Sequence, residues 1–271
     1  MYDSIVKAVK DRKLIPFIGA GFSKNLNLPT LDDLINIMAK DLQWSPDILK
    51  LQGDFYQIAQ FYYAHFNGIS SLRSKLDNIF NSSEIDIEKS VIHSLLIKLN
   101  APIIYTTNWD NWIEYAYESA GQRVHVIRSI NEIINIKADV TQIVKFHGDF
   151  KNNDDDLVFT EESYFQRLNF ESPLDIKLRA DLLGKSVIFI GYNFNDINVR
   201  FLWYKLVKLI EKSYSRLKTH YPKSYIVSMN YNPLLEKIYH DSYVQVVNLP
   251  EIDPIDALKN FLQKIVTDTA K

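Results

Sequence analysis

The chain has 271 residues, 46% of them hydrophobic and 24% charged, with a net charge of −2. That suffices for the core of one large domain and provides no overall basic field to draw nucleic acid. It contains no cysteine, which excludes disulfides, thiolate zinc sites, iron–sulfur clusters and cysteine nucleophiles. Its six histidines show neither His-x-x-x-His nor His-Glu-x-x-His spacing, so no metal is expected.

No run of about 18 apolar residues is present to span a membrane, and residues 1–12 are charged and amphipathic, unlike a signal peptide. A cytoplasmic protein is expected. Residues 1–12 read as a helix leading into a buried strand, Leu14, Ile15, Phe17 and Ile18, which runs into the turn Gly19-Ala20-Gly21-Phe22-Ser23. A strand, a Gly-x-Gly turn and a helix can cradle a phosphate, because backbone N–H groups and the positive helix end face an anion. A glycine there supplies positive φ or a close approach to a ligand. The third glycine of the usual spacing is missing, since position 24 is Lys.

Thr30 followed by Asp33 predicts a capping box opening a helix from Leu31 to Leu42. Residues 44–100 read as helical throughout. Within them Phe55 to Phe66 is apolar or aromatic on nearly all sides, which predicts a helix buried between others or a subunit interface. Ile87 to Leu99 reads as one further helix. Strands and helices then alternate, as in a parallel sheet. The strands are Ile103–Thr107, Val124–Ile127, Ile143–Phe146, a brief Leu157–Phe159, Ser186–Ile190, Tyr225–Val227 and Tyr243–Val247. The helices are Asp110–Ala120, Leu174–Leu183, Val199–Ile210 and Pro254–Val266. Ser186–Ile190 is the most apolar strand and is expected at the sheet centre. The fold class is therefore α/β: a Rossmann-like parallel sheet flanked by helices, residues 1–271 forming a single domain with an all-helical lobe inserted at about 44–100.

In such a sheet, ligands sit beyond the carboxyl ends of the strands. Four turns occupy those positions: Gly19-Ala20-Gly21-Phe22-Ser23, Asn108-Trp109-Asp110, His147-Gly148-Asp149, and Gly191-Tyr192-Asn193-Phe194-Asn195-Asp196. Of only 8 glycines, Gly19, Gly21, Gly148 and Gly191 fall in them, which favours one shared site over unrelated turns.

As a set, these four segments resemble the sirtuin-like NAD-binding family: Gly-Ala-Gly-Phe-Ser, then Thr106-Thr107-Asn108-Trp109-Asp110, then Phe146-His147-Gly148, then Phe189-Ile190-Gly191-Tyr192 with Asp196. Tyr164 after Thr160-Glu161-Glu162, and Asp196 to Arg200 opening a late helix, are similar too. The resemblance runs from about Leu14 to Leu209 and is nearest to the bacterial branch that hydrolyses NAD in anti-phage defence. The family's deacetylases carry a four-cysteine zinc ribbon, which this chain cannot build, and a Phe-Arg pair where it has Thr30-Leu31-Asp32.

The resemblance implies cleavage of the nicotinamide–ribose bond, with NAD as substrate and no metal. Nicotinamide leaves without a proton because its ring nitrogen is cationic, so the paired acid and base of an ordinary glycosidase are not needed. His147 is the candidate base, its unperturbed pKa lying near working pH. Asn108 can hold the water or the ribose through its amide. Gly19, Ala20, Gly21 and Ser23 are expected at the pyrophosphate, Gly191, Tyr192 and Asn193 at the adenosine half, and Thr107 and Gly148 also line the cofactor site. Asp110 either binds the nicotinamide carboxamide and stabilises positive ribose, or only caps the helix that follows it. Asp196 reads better as a cap.

His65, His93, His125, His220 and His240 read as structural, Asp154-Asp155-Asp156 as a solvated loop, and Lys212 to Lys223 as an exposed helix end or a basic patch. An enzyme that drains NAD needs a gate. A homo-oligomer or a separate activating partner, such as a nucleoside triphosphatase or an Argonaute-type protein, is expected, as is the alternative that the chain is part of a longer one. Two other readings stay open: a module that binds NAD or ADP-ribose without turnover, and a zinc-free deacylase.

Overall fold

The computed structural model describes residues 1–137, 139–151, 157–192, 200–201, 204–205, 207–208, 224–229, 232–240 and 244–271. Asn193, Asp196, the Asp154–Asp156 run, most of the expected Val199–Ile210 helix, the Lys212–Lys223 stretch with His220, and the side chain of His240 lie outside the described residues.

Seven strands form one parallel sheet: β1 Leu14–Ile18, β2 Ile103–Thr106, β3 Val124–Ile127, β4 Thr141–Lys145, β5 Ser186–Ile190, β6 Ser224–Ser228 and β7 Val244–Asn248. Their order is β3-β4-β2-β1-β5-β6-β7. β1 and β5 are buried at every position, as expected of strands covered on both faces. The middle strand is β1, not β5 as expected from apolarity; β5 lies beside it. Both are interior strands, so hydrophobicity alone cannot rank them. The chain leaves β1 toward β2 and later returns on the other side at β5, which places the topological switch point between β1 and β5.

One core lies under α1 (Tyr2–Lys10), α6 (Val91–Lys98), α7 (Trp112–Ser119) and the final helix Pro254–Thr269, with Ile5, Leu95, Ile113, Tyr117 and Leu262 against Ile18, Ile104 and Ile188 of the sheet. A second fills the opposite face with Phe17, Tyr105, Val144, Phe146, Phe189 and the Leu174 and Leu178 of the helix Pro173–Asp181. The helix begins on a Ser172–Asp175 capping box with Pro at its first turn.

A third core belongs to α2 (Leu31–Leu42), α3 (Pro46–Gln52), α4 (Phe55–Phe66) and α5 (Ser70–Phe80). The expected box of Thr30 and Asp33 opens α2. α4 is not buried on all sides: Phe55, Ile58, Ala59 and Tyr62 face inward, while Phe61, Tyr63 and Phe66 are exposed. The Ile87–Leu99 segment is broken at Ser90 into a 3-10 turn, Ile87–Lys89, and α6. Leu157–Phe159 is not a strand. Its apolar residues are nonetheless buried, because Leu157 and Phe159 join Phe150 in the core of the helical group. Burial without a neighbouring strand explains why an apolar triplet misleads.

Candidate active site

The four turns stand side by side. They follow β4, β2, β1 and β5, four consecutive strands of the sheet. Register fixes their depth: Thr106 pairs with Lys145 and with Ile18, and Ile18 pairs with Ile190. Asn108 and His147 are thus each two residues beyond paired positions on neighbouring strands. The ladder continues into the turns, with Thr107 N–H donating to Ile18 O (3.1 Å), Phe146 N–H to Thr106 O (2.8 Å) and Gly19 N–H to Ile190 O (2.9 Å).

The first turn is a 3-10 helix, Ala20–Leu26. Neither of its glycines has the expected positive φ. Gly19 is extended at φ −111°. A Cβ on Gly19 or on Gly21 would lie 2.8 Å from the carbonyl oxygen of Gly191, so backbone packs on backbone here. The Gly19 and Gly21 amides are also engaged, the latter to Gly191 O at 2.9 Å. They are therefore not free for a pyrophosphate, a correction to the reading of both as phosphate donors. The Ala20 N–H donates to no described residue. Ser23 points its hydroxyl inward.

That hydroxyl joins the first turn to the second. Asn108 Nδ2 donates to Ser23 Oγ (3.3 Å), and Ser23 Oγ donates to Asp110 Oδ2 (3.4 Å); all three residues are buried. Asn108 N–H is anchored on Thr106 Oγ1 at 3.0 Å. Asn108 Oδ1 is buried and accepts from no described residue, so one half of its amide is used and the other is open to a donor. Asp110 meets both sequence readings at once: its Oδ1 accepts from Trp112 N–H (3.1 Å) at the start of α7, and its Oδ2 faces Ser23. Burial raises its carboxyl above the usual range, and the charge of Lys145 opposes that. Thr107 Oγ1 hydrogen-bonds Tyr192 Oη at 2.9 Å, and Tyr192 Oη donates to Ile18 O at 3.1 Å, tying the second turn to the fourth.

His147 is buried, its ring set edge-on to Tyr164 at 6.2 Å. Gly148, at φ +72°, turns the chain after it and donates to Lys145 O (3.0 Å). Burial lowers the imidazole pKa to about 3, and the Arg167 guanidinium beside it pushes the same way. The free-solution value near 6.5 does not hold here; the ring is neutral at pH 7.

Three charged residues escaped the sequence reading. Lys145 has no exposed surface; its Nζ donates to the carbonyl of Asp110 and pairs with Glu114 at 3.5 Å. A lone lysine in an apolar strand, two residues before His147, was the available signal. Arg167 lies over the Phe146 ring at 4.7 Å and donates to Phe146 O. Arg128 pairs with buried Asp149 at 2.5 Å. Trp109 packs among Phe55, Phe150 and Phe159, fastening the second turn to the helical group.

Residues 102–222 match the SIR2-like domain family. Over that stretch the chain is similar to sirtuins. It is 27% identical over 203 residues to the NAD(+) hydrolase ThsA of Acinetobacter baumannii, 74% of this chain and 41% of that protein. It is 27% identical over 218 residues to Defense-associated sirtuin 2 of Bacillus subtilis, 78% of this chain and 21% of that protein. The ThsA of Bacillus cereus is 24% identical over 215 residues, 78% and 43% respectively. The chain spans less than half the length of these relatives. Among solved structures, the crystal structure of a Sir2 homolog–NAD complex superposes with a TM-score of 0.52 at 12% identity, covering 98% of this chain and 94% of that one. That likeness is one of fold. Among the described residues, no helix is long and apolar enough to cross a membrane.

Proposed function

We propose that this chain hydrolyses NAD to nicotinamide and ADP-ribose. The reading is carried by the Ser23–Asn108–Asp110 cluster beside His147 on neighbouring strands, with the Asn108 carbonyl left open. Relatives bearing the name NAD(+) hydrolase support it.

The C–N bond to nicotinamide breaks with its electron pair passing to the cationic ring, and the ribose becomes oxocarbenium-like. Water adds to that carbon and loses one proton, so NAD plus water gives nicotinamide, ADP-ribose and a proton. Asn108 Oδ1 accepts from the water or from a ribose hydroxyl and so places it. Asp110, held by Ser23 and Trp112, lies where developing positive charge gains from a carboxylate. His147 is a neutral acceptor for the proton. Burial makes it a weak base until an anionic substrate compensates its charge. The free Ala20 N–H and the Ser23 side of the first turn remain for the pyrophosphate. Asn193 is assigned to the adenosine half together with Gly191 and Tyr192.

By the same reading the enzyme acts in anti-phage defence, in the cytoplasm, gated by oligomerisation or by an activating partner protein. A nucleoside triphosphatase or an Argonaute-type protein would fit, and no metal takes part. The low basicity of His147 favours, as second reading, a module that holds NAD without turnover. Incubating the purified protein with NAD and following nicotinamide release separates the two. The proposal expects release, lowered at least a hundredfold in Asn108→Ala and in His147→Ala. Stable binding with no release, alone or with candidate partners, or full activity in both variants, would overturn it.

A further inference from the structure

Helix α7 has two faces. Ile113, Ala116 and Tyr117 enter the core, while Asn111, Glu114 and Glu118 line a cavity of about 610 Å³ between the helix and strand β3, whose wall includes none of Ser23, Asn108 and Asp110. Two observations there call for a ligand. First, Asn111 is 2% exposed, and neither its Oδ1 nor its Nδ2 has a hydrogen-bond partner among the described residues. A buried amide with both halves idle costs stability unless something fills it. Second, the cavity wall carries an excess of positive charge. Arg123 and Lys137 have no ion-pair or hydrogen-bond partner among the described residues, while Arg128 is paired with Asp149, and Lys151 donates to Tyr115 Oη (2.5 Å).

The topology separates the two features. Asn111 opens α7 at the carboxyl end of the sheet, whereas Arg123 and Lys137 precede β3 and β4 at the other end. The seven residue-to-residue rises from Asn111 to Glu118 span about 10 Å of helix. This matches a ligand with a hydrogen-bonding ring at one end and phosphate at the other. An amide presents one donor and one acceptor, the pair that meets the amino and ring-nitrogen edge of adenine. We propose that this cavity is a second ligand site, distinct from the four-turn site, that takes an adenine nucleoside diphosphate or a related phosphorylated nucleoside. Asn111 reads the base and Arg123 with Lys137 hold the phosphates. Glu114 and Glu118 stand between and accept from sugar hydroxyls. Glu114 also faces Lys145, which holds the Asp110 carbonyl, so an occupant would touch the support of the cluster opposite.

The test reads binding, not NAD cleavage, and so stands apart from the proposed activity. ADP, adenosine and inorganic pyrophosphate are titrated calorimetrically into the parent and into an Arg123→Glu/Lys137→Glu double variant, both positions being exposed and remote from Gly19–Ser23. Hydrogen exchange then locates the bound ADP. The proposal expects ADP to bind at least tenfold tighter than either fragment. It also expects ADP to protect residues 111–128 and to lose at least tenfold in affinity in the double variant at an unchanged melting temperature. No binding of ADP, fragments that bind equally well, protection confined to Gly19–Leu26 and Gly191–Tyr192, or a double variant that binds as the parent does would overturn it.

Discussion

The amide of Gly21 donates to the carbonyl oxygen of Gly191 at 2.9 Å, across the switch point where β1 and β5 part company. Each of the two turns is the other's packing surface. A Cβ at Gly21 would meet Gly191 O at 2.8 Å, and one at Gly191 would meet the Phe22 nitrogen at 2.5 Å on a residue whose φ is +83°. Gly191→Ala therefore adds a clash with backbone to a strained conformation. It is expected to lower stability by about 2–4 kcal/mol, and Gly21→Ala by about 1–3 kcal/mol. Both should show as lowered melting temperatures, accompanied by loss of nicotinamide release; an Ala at either position that melts like the parent would contradict the packing argument.

Lys145 is the only positive charge placed between Asp110 and Glu114 by the described contacts. Burial raises both carboxyls, and the lysine opposes that in each. Lys145→Met is expected to cost about 3–5 kcal/mol by leaving a buried carboxylate uncompensated. Without the lysine, the folded-state pKa of Glu114 moves further above its unfolded value, so the variant gains stability as pH falls and loses it as pH rises. Urea melts at pH 5 and pH 8 check this: the deficit should be smaller at pH 5, and adding Glu114→Gln should recover part of it. An equal deficit at both pH values argues against the charge account.

Acid sensitivity is expected from two buried imidazoles. Burial lowers both His147 and His93 to about 3. The unfolded chain takes up protons near 6.5 while the folded one does not. The stabilisation is thus complete above about pH 6.5 and is lost as pH falls toward 3, at about 1.4 kcal/mol per pH unit per histidine. His93, which bonds Ser90 Oγ at 2.7 Å and sits edge-on to Phe22, supplies the test away from the reacting groups. In His93→Gln the fall in stability between pH 6.5 and 4.5 should be about half as steep as in the parent. A resonance from either imidazole titrating near 6.5 in the folded protein would refute the assignment.

Trp109 carries the connection between the second turn and the helical group. Trp109→Ala removes a ring in contact with Phe55, Phe150 and Phe159 and is expected to cost about 3–5 kcal/mol. Trp109→Phe, which keeps an apolar ring, should recover more than half of the melting temperature and of the NAD cleavage. If Trp109→Ala leaves cleavage intact, the turn is positioned without the helical group.

Much of this was open to inspection in the chain itself. Alternating apolar runs and glycine-bearing turns after them are local signals, and they located the seven strands of the sheet, the α/β class and the turns that carry Ser23, Asn108, Asp110 and His147 beyond neighbouring strands. Thr30 and Asp33 marked a helix start because capping is settled within four residues. Strand order was not legible in this way, because β1 and β5 are equally buried and only their long-range partners differ. Nor was the state of His147: a sequence shows an imidazole near 6.5, whereas the burial and the guanidinium that lower it come from Tyr164 and Arg167, far along the chain.

The residue types alone determined which chemistry was available: no thiolates, and carboxamides, an imidazole and carboxyls following strand ends, because composition and strand periodicity act over a few residues. What only the tertiary structure decided is which of those groups are spent and which are free. Gly19 and Gly21 turn out to give their amides to Ile190 and Gly191, Lys145 to stand under Asp110, and Asn111 to lie idle on a cavity wall, since hydrogen-bond partners and burial are set by segments that meet only when the sheet closes.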